Sequence, residues 1–289
     1  MGKIVRCISK DGSVFATAVD ATDLAARAEQ IHKTSAVVTA ALGRLLSAAS
    51  MMGYLLKGKE DSVTLRVKGD GPVGTVIAAA DSSGNVRGYV GNPVVELPLN
   101  EKGKLDVGGA VGKNGALYVM KDLGLKEPYI GSVPLISGEL AEEVTSYYAA
   151  SEQIPTVCSL GVLVNPDLTV RAAGGFLVQL LPFAPEETIE KVEQAIAAIP
   201  PVTKLLDGGA SPEDICHRAL AGFEVDLLDE ALVEYRCDCS REKVLRALVS
   251  LGEDELREMA EEKDWEVTCH FCDAVYRFSG DELRALIRK

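Results

Sequence analysis

The chain has 289 residues, with 30 lysines and arginines against 43 aspartates and glutamates, a formal net charge of −13. A hydrophobic content of 47% supports a sizeable core and excludes a disordered or collagen-like chain. The acid excess and an aromatic content of 5% argue against a protein whose task is holding nucleic acid, which needs a basic face and stacking platforms.

Before Asp11 there is no apolar stretch of signal-peptide length, and Arg6 stands where a myristoylation motif needs Ser or Thr. The expected location is therefore the cytoplasm. Helical signals follow at about 21–31 and 36–57. Residues 36–56 are the one stretch resembling a membrane span, but they contain Arg44 and many Ala, Ser, Thr and Gly residues. A span needs about 20 predominantly apolar residues, so a buried helix with close-packing small side chains is expected instead. Val63-Thr-Leu-Arg-Val67 alternates at period two, as a strand with one buried face does. Gly69-Asp-Gly-Pro-Val-Gly74 resembles a phosphate loop but lacks the Lys-Ser/Thr ending, and is expected as a turn.

Asp81-Ser-Ser-Gly84 between Thr75-Val-Ile-Ala-Ala-Ala80 and Asn85-Val-Arg-Gly-Tyr-Val90 predicts a hairpin. Asn114-Gly115, between Ala110-Val111 and Ala116-Leu-Tyr-Val119, predicts a second. A helix is expected at about 138–150. Asn165-Pro-Asp167 then predicts a third hairpin, between Leu160-Gly-Val-Leu-Val164 and Val170-Arg-Ala-Ala-Gly174. The expected fold class up to about Pro182 is α+β, with a largely antiparallel sheet and packed helices.

The texture changes after Leu181-Pro182. Pro185-Glu-Glu-Thr-Ile189 opens a helix with acids in its first turn, and Ile189, Val192, Ile196 and Ile199 are expected as one apolar stripe. Pro200-Pro201 stops it, and a short helix is expected from Val202 to Leu206, before Gly208-Gly209. Ser211-Pro-Glu-Asp214 caps a third helix whose inward face is Ile215, Ala219 and Phe223. Helices this short are marginal in isolation, where about 12–15 residues are needed, so the segment must dock onto neighbours.

Seven cysteines stand at 7, 158, 216, 237, 239, 269 and 272. The last four form Cys237-Asp-Cys239 and, after 29 residues, Cys269-His-Phe-Cys272. Two close thiolate pairs joined by a folded loop supply the four corners of a tetrahedral zinc site. Between them, helices are expected from Ser240-Arg-Glu-Lys243 through Leu248 and over 253–262, followed by Trp265-Glu-Val267. Val275, Tyr276 and Phe278 read as a strand, and Ser279-Gly-Asp-Glu282 starts a closing helix. A tail this small needs a staple. The zinc could be a purely structural one, since no coordination position is left open for a substrate. The same pairs could also form local disulfides once oxidised, because thiolates are what oxidants attack.

The remaining candidates are weaker. His270 could replace a cysteine, but four thiolates suffice. His217 beside Cys216 lacks a third ligand in sequence, and His32 has no sequence partner. Cys7 and Cys158 are expected as core residues on strands. With no Gly-X-Ser-X-Gly elbow and no His-Glu-X-X-His helix, conventional enzyme chemistry has no candidate.

The cysteine pattern, together with Thr39-Ala-Ala-Leu-Gly-Arg44, Asn100-Glu-Lys-Gly-Lys-Leu-Asp106, Lys121-Asp-Leu-Gly124, Ser137-Gly-Glu139 and Ala172-Ala-Gly-Gly-Phe176, resembles the bacterial 33-kDa heat-shock protein family of redox-switched chaperones across essentially the whole chain. The resemblance implies a chaperone core at 1–182, a metastable helical linker at 183–232 and a redox-switch zinc domain at 233–289. It implies an ATP-independent holdase, not an enzyme, inactive while Cys237, Cys239, Cys269 and Cys272 hold one Zn2+ per chain. Peroxide or hypochlorous acid, usually with heat, would then form Cys269–Cys272 first and Cys237–Cys239 after it, expelling zinc and unfolding tail and linker. Unfolding client proteins would bind the exposed surface of a form that tends to homodimerise, with no nucleic acid, membrane or ATP as partner. Two rivals are a thiol-disulfide oxidoreductase using the Cys-X-Cys and Cys-X-X-Cys pairs, and a zinc-ribbon binding protein. For a nucleic-acid-binding tail, residues 251–266 are too acidic.

Overall fold

Alternating burial along β1 (Gly2–Ser9) and β2 (Val14–Asp20) sends successive side chains to two different cores. Ile4 and Val19 enter one, while Val5, Cys7, Ala16 and Ala18 enter the other. The computed structural model, which describes residues 1–261 and 264–287, divides into two compact units, Met1–Arg236 and Cys237–Lys289. The α+β class with antiparallel sheets is as expected.

In the first unit, one five-stranded antiparallel sheet contains β1, β2, β8 (Thr156–Val164), β9 (Val170–Leu180) and β10 (Val225–Val233), in the order β10-β1-β2-β9-β8. A second contains β3 (Ser62–Lys68), β4 (Thr75–Asp81), β5 (Val86–Val90), β6 (Ala116–Asp122) and β7 (Tyr129–Pro134), in the order β5-β4-β3-β6-β7. α1 (Thr22–His32) and α2 (Ala36–Tyr54) follow β2. α2 packs against β8 and β9 on one side and β4 and β5 on the other, so its apolar composition belongs to a helix buried between sheets.

The hairpin at Asp81–Gly84 forms as expected. Asp81 Oδ1 accepts from the Ser83 and Asn85 amides at 2.9 and 3.1 Å, and Gly84 takes a positive φ of 81°. Asn165–Thr169 likewise turns β8 into β9. The second predicted hairpin does not form. Residues Val107–Val111 are a short helix, α3, because Asp106 caps it by accepting from the Gly109 amide at 2.9 Å. Asn114-Gly115 therefore joins a helix to β6. The 138–150 helix is α4 (Ala141–Tyr147), extended by a π-helical turn at Tyr148–Glu152. Arg44 on α2 meets Glu139, just before α4, at 2.5 Å, bringing two of the quoted sequence blocks together.

Residues 183–232 build onto the first sheet. α5 (Glu186–Ala198), α6 (Val202–Asp207) and α7 (Pro212–Ala219) bring Val192, Val202, Leu205, Ile215 and Ala219 into one buried cluster with Val5, Ala16, Phe176 and Val178. Short helices that are marginal alone are thus held by a sheet face. Of the expected α5 stripe, Val192 is buried and Ile196 and Ile199 pack against this cluster. Thr188, Val192 and Ala195 are buried, while Ile189 is 42% exposed. Ser211 and Asp214 close a reciprocal capping box on α7. The stretch is not wholly helical either: β10 pairs along all of β1, with a register shift at Arg6/Cys7.

The second unit contains α8 (Arg241–Val249), α9 (Glu253–Glu261), a β11–β12 hairpin (Asp264–Thr268, Val275–Ser279) and α10 (Gly280–Ile287). Glu262, the expected last residue of the second helix, lies outside the described residues. Ser240 and Ser279 cap α8 and α10 by accepting from the amides of Lys243 and Glu282. A small core of Leu248, Leu256, Ala260, Phe278 and Leu283 lies between these elements.

Candidate metal centre

Local structure brings the two cysteine pairs within reach of each other. Cys237 and Cys239 precede the Ser240 cap, so the start of α8 fixes where their backbone ends. Cys269 and Cys272 occupy the connection of the β11–β12 hairpin, whose ladder runs to the Thr268–Val275 pair. There the Cys269 amide donates to Ala274 O at 2.9 Å, and the Cys272 and Asp273 amides donate back to Cys269 O at 3.3 and 2.9 Å. Asp273 takes a φ of 57°, which turns the chain sharply beneath the two sulfurs.

All four Sγ atoms lie within 4.8 Å of one another. The nearest contacts run across the pairs, Cys237 to Cys269 at 3.7 Å and Cys239 to Cys272 at 3.4 Å. A disulfide needs about 2.05 Å, and all seven cysteines are free thiols. Tetrahedral zinc with Zn–S bonds of about 2.3 Å separates its sulfurs by about 3.8 Å. The donor set thus fits zinc in number, element and spacing. His270 is not part of this group.

Electrostatics differ among the sulfurs. Burial pushes the Cys237 thiol up, and pushes Cys272 up to about 11. At Cys239 desolvation acts the same way but is outweighed by hydrogen bonds, first from Tyr276 Oη at 3.0 Å, so this thiol lies below its ordinary value. The same bond raises Tyr276 to about 12. Tyr276 was legible only as a strand residue; its role at the sulfur depends on the register of β12, which faces it back toward the first pair. A thiolate assembled beside three further sulfurs suits a soft divalent cation.

The other candidates fall elsewhere. His217, exposed on α7, lies 3.9 Å from Glu213. His32 Nε2 is 2.9 Å from Gly88 O and 3.4 Å from Tyr235 Oη, partners far away in sequence. Cys7 is on β1 and Cys158 on β8, both strands as expected, with Cys7 fully buried and Cys158 half-buried. Cys216 is buried on α7.

Comparison with known proteins places these features in context. The family model described as "Hsp33 protein" matches residues 2–279. A protein named 33 kDa chaperonin from Lachnoclostridium phytofermentans is 48% identical over 99% of this chain and 98% of its own length. Its namesake from Staphylococcus carnosus is 47% identical over 99% and 97%. The crystal structure of the 33 kDa chaperonin (heat shock protein 33 homolog) from Thermotoga maritima superposes with a TM-score of 0.89 at 41% identity, covering 99% of this chain and 97% of that one.

Proposed function

The chain belongs to the Hsp33 family, and on that premise we propose that it is a redox-regulated, ATP-independent holdase of the cytoplasm, without enzymatic turnover. The observation that carries this reading is the convergence of two short-spaced thiol pairs within 4.8 Å. Cys237, Cys239, Cys269 and Cys272 are the proposed ligands of one Zn2+ per chain. Zinc, when bound, keeps these sulfurs as thiolates and ties the two pairs to each other.

On oxidation, the thiolates of Cys269 with Cys272 and then of Cys237 with Cys239 each give two electrons to the oxidant, which takes up two protons from solvent. Hydrogen peroxide leaves as water. Each new disulfide joins residues that are near neighbours in the chain, so neither closes the long segment between the pairs. A brace across the unit becomes two local rings, and the donors for the metal are consumed. The small core that remains is below what usually holds a domain of this size. The proposed functional division is a core at 1–182, a conditional linker at 183–232 and the switch at 233–289. Only three residues separate the end of β10 from Cys237, so disorder in the switch has a short path into the linker. Lifting α5, α6 and α7 would uncover the apolar sheet face of Val5, Ala16, Phe176 and Val178 for unfolding clients. A net charge of −13 favours solubility while that face is exposed. Homodimerisation of the activated form is part of the same proposal.

The test measures zinc content and client light scattering together. Peroxide with mild heat should release one zinc per chain and convert the protein into a suppressor of aggregation by a heat-denaturing client. Unchanged zinc and unchanged scattering would overturn the reading. Turnover of insulin disulfides would instead favour an oxidoreductase.

A further inference from the structure

One contact runs from the carrier of one cysteine pair to a sulfur of the other. Cys269 and Cys272 lie in the connection of the β11–β12 hairpin, and Tyr276 follows on β12, opposite Val267 of β11. Its ring packs against the second unit's core of Leu248, Leu256, Ala260, Phe278 and Leu283. The hydroxyl donates to Cys239 Sγ at 3.0 Å. Cys237 and Cys239 stand on neither a helix nor a strand, so no ladder or helical turn of their own holds them. The core thus aims a fixed donor at one sulfur of the first pair, from the hairpin that carries the second.

We infer that Tyr276 is a positioning residue for the redox switch: its hydroxyl shields Cys239, so Cys237–Cys239 closes only after the hairpin holding Cys269 and Cys272 has loosened. This rests on the reading of the four cysteines as a zinc-held redox switch, and it supplies a cause for the order proposed there. With the metal bound all four sulfurs are thiolates, so their rates with peroxide depend on nucleophilicity and access. A hydrogen bond to a thiolate stabilises the charge that the sulfur must give up, and so lowers its nucleophilicity. At an unshielded sulfur the thiolate attacks one peroxide oxygen. The S–O bond forms as the O–O bond breaks, and the departing hydroxide takes a proton from solvent to become water. The other thiolate of the pair then attacks the sulfenic sulfur. The S–S bond forms, the S–O bond breaks, and a second hydroxide leaves and is protonated to water. Two thiolates give two electrons, and one peroxide becomes two waters. Closing Cys269–Cys272 in this way consumes the sulfurs that anchor the hairpin. As β12 shifts, the Tyr276 hydroxyl withdraws from Cys239 and the second closure follows.

Tryptic mapping reads the order directly, because each pair has its own peptide: 237–241 for Cys237 and Cys239, and 264–277 for Cys269 and Cys272. The zinc-loaded full chain is treated with peroxide at mild heat, quenched by alkylation at intervals and digested without reductant. A closed pair gives its peptide two hydrogens lighter, in place of the doubly alkylated form. In the parent, 264–277 should close first. Tyr276→Phe keeps the ring and removes the donor. It should speed closure of 237–241 by roughly threefold or more, and change that of 264–277 by less than about twofold. A second readout needs no oxidant. In the reduced, Co2+-loaded chain, Tyr276→Phe should move the sulfur-to-cobalt charge-transfer absorption to longer wavelength, because a sulfur without its hydrogen bond is the better electron donor. Equal acceleration of both peptides is what a merely loosened fold would give, and it overturns the inference, as do unchanged timing or an unmoved absorption. Failure of both Tyr276→Phe and Tyr276→Leu to hold metal would make Tyr276 a residue of the fold alone, and overturns it too. A parent chain in which neither pair closes refutes the switch itself. A parent that closes in order, beside a Tyr276→Phe chain that behaves identically, refutes only the shielding.

Discussion

The first unit places large side chains such as Tyr147, Phe176, Leu45, Leu46 and Met51 in continuous cores on both faces of a five-stranded sheet. In the second unit, the buried apolar set among the described residues is Leu248, Leu256, Ala260, Phe278 and Leu283. There the Trp265 Nε1 is also buried without a hydrogen-bond partner among the described residues, a defect that costs roughly 1–3 kcal/mol. Four half-buried thiols stand where a larger core would be. The contrast is chemical as well as quantitative. Apolar burial is indifferent to peroxide, whereas a thiol brace is consumed by it. On the proposed reading, oxidant sensitivity is concentrated where burial contributes least.

The contrast breaks most severely if the brace proves dispensable. Structural zinc in small peptides contributes on the order of 10–16 kcal/mol apparent. Chelation under reducing conditions, or Cys239→Ser with Cys272→Ser, should abolish amide protection throughout 237–289 and leave the first unit's exchange intact. Retained protection in the tail would refute the comparison. A matched pair of truncations sharpens it. Phe278→Ala and Phe176→Ala each remove a fully buried ring and should each cost about 3–5 kcal/mol. The first should unfold the second unit and promote zinc loss, while the second should only lower the first unit's melting temperature. Calorimetry with zinc analysis separates the two.

Smaller effects probe the docked linker. Ser211→Ala removes the α7 capping box and should cost about 1 kcal/mol, visible as faster exchange in α7 with no change in 237–289. On β1, Arg6 Nε donates to Asp229 Oδ1 of β10 at 2.8 Å, and this bond holds the Asp229 carboxyl below its ordinary range. A depressed folded-state value means stability that is present above the ordinary carboxylate pKa of about 3.9 and lost as pH falls through the folded value. Asp229→Asn should therefore lower the urea midpoint at neutral pH, by less than about 1 kcal/mol after solvent screening, and match the parent in strong acid. The least effect is expected from replacing Cys7, Cys158 and Cys216 together. Oxidant-triggered zinc release and holdase activity should be no weaker than in the parent, and their loss would place part of the activating switch outside the four-cysteine centre.

Sequence alone determined whatever depends on near neighbours in the chain. The hairpin at 81–84, the caps at Ser211 and Ser240, the burial of α2 and the paired spacing of the four cysteines all follow from turn chemistry, capping or short-range periodicity. Tertiary structure decided what depends on distant partners. Val225–Val233 became a strand because β1 offered it an edge. Ile189 turned outward because the sheet selected the face of Thr188, Val192 and Ala195. His32 found Gly88 and Tyr235, and Tyr276 found Cys239, through the packing of elements far apart in sequence. Caps and turns are satisfied within a few residues, so they are written locally. Strand pairing and helix rotation minimise exposed apolar area over the assembled fold, and no short window of sequence contains that sum.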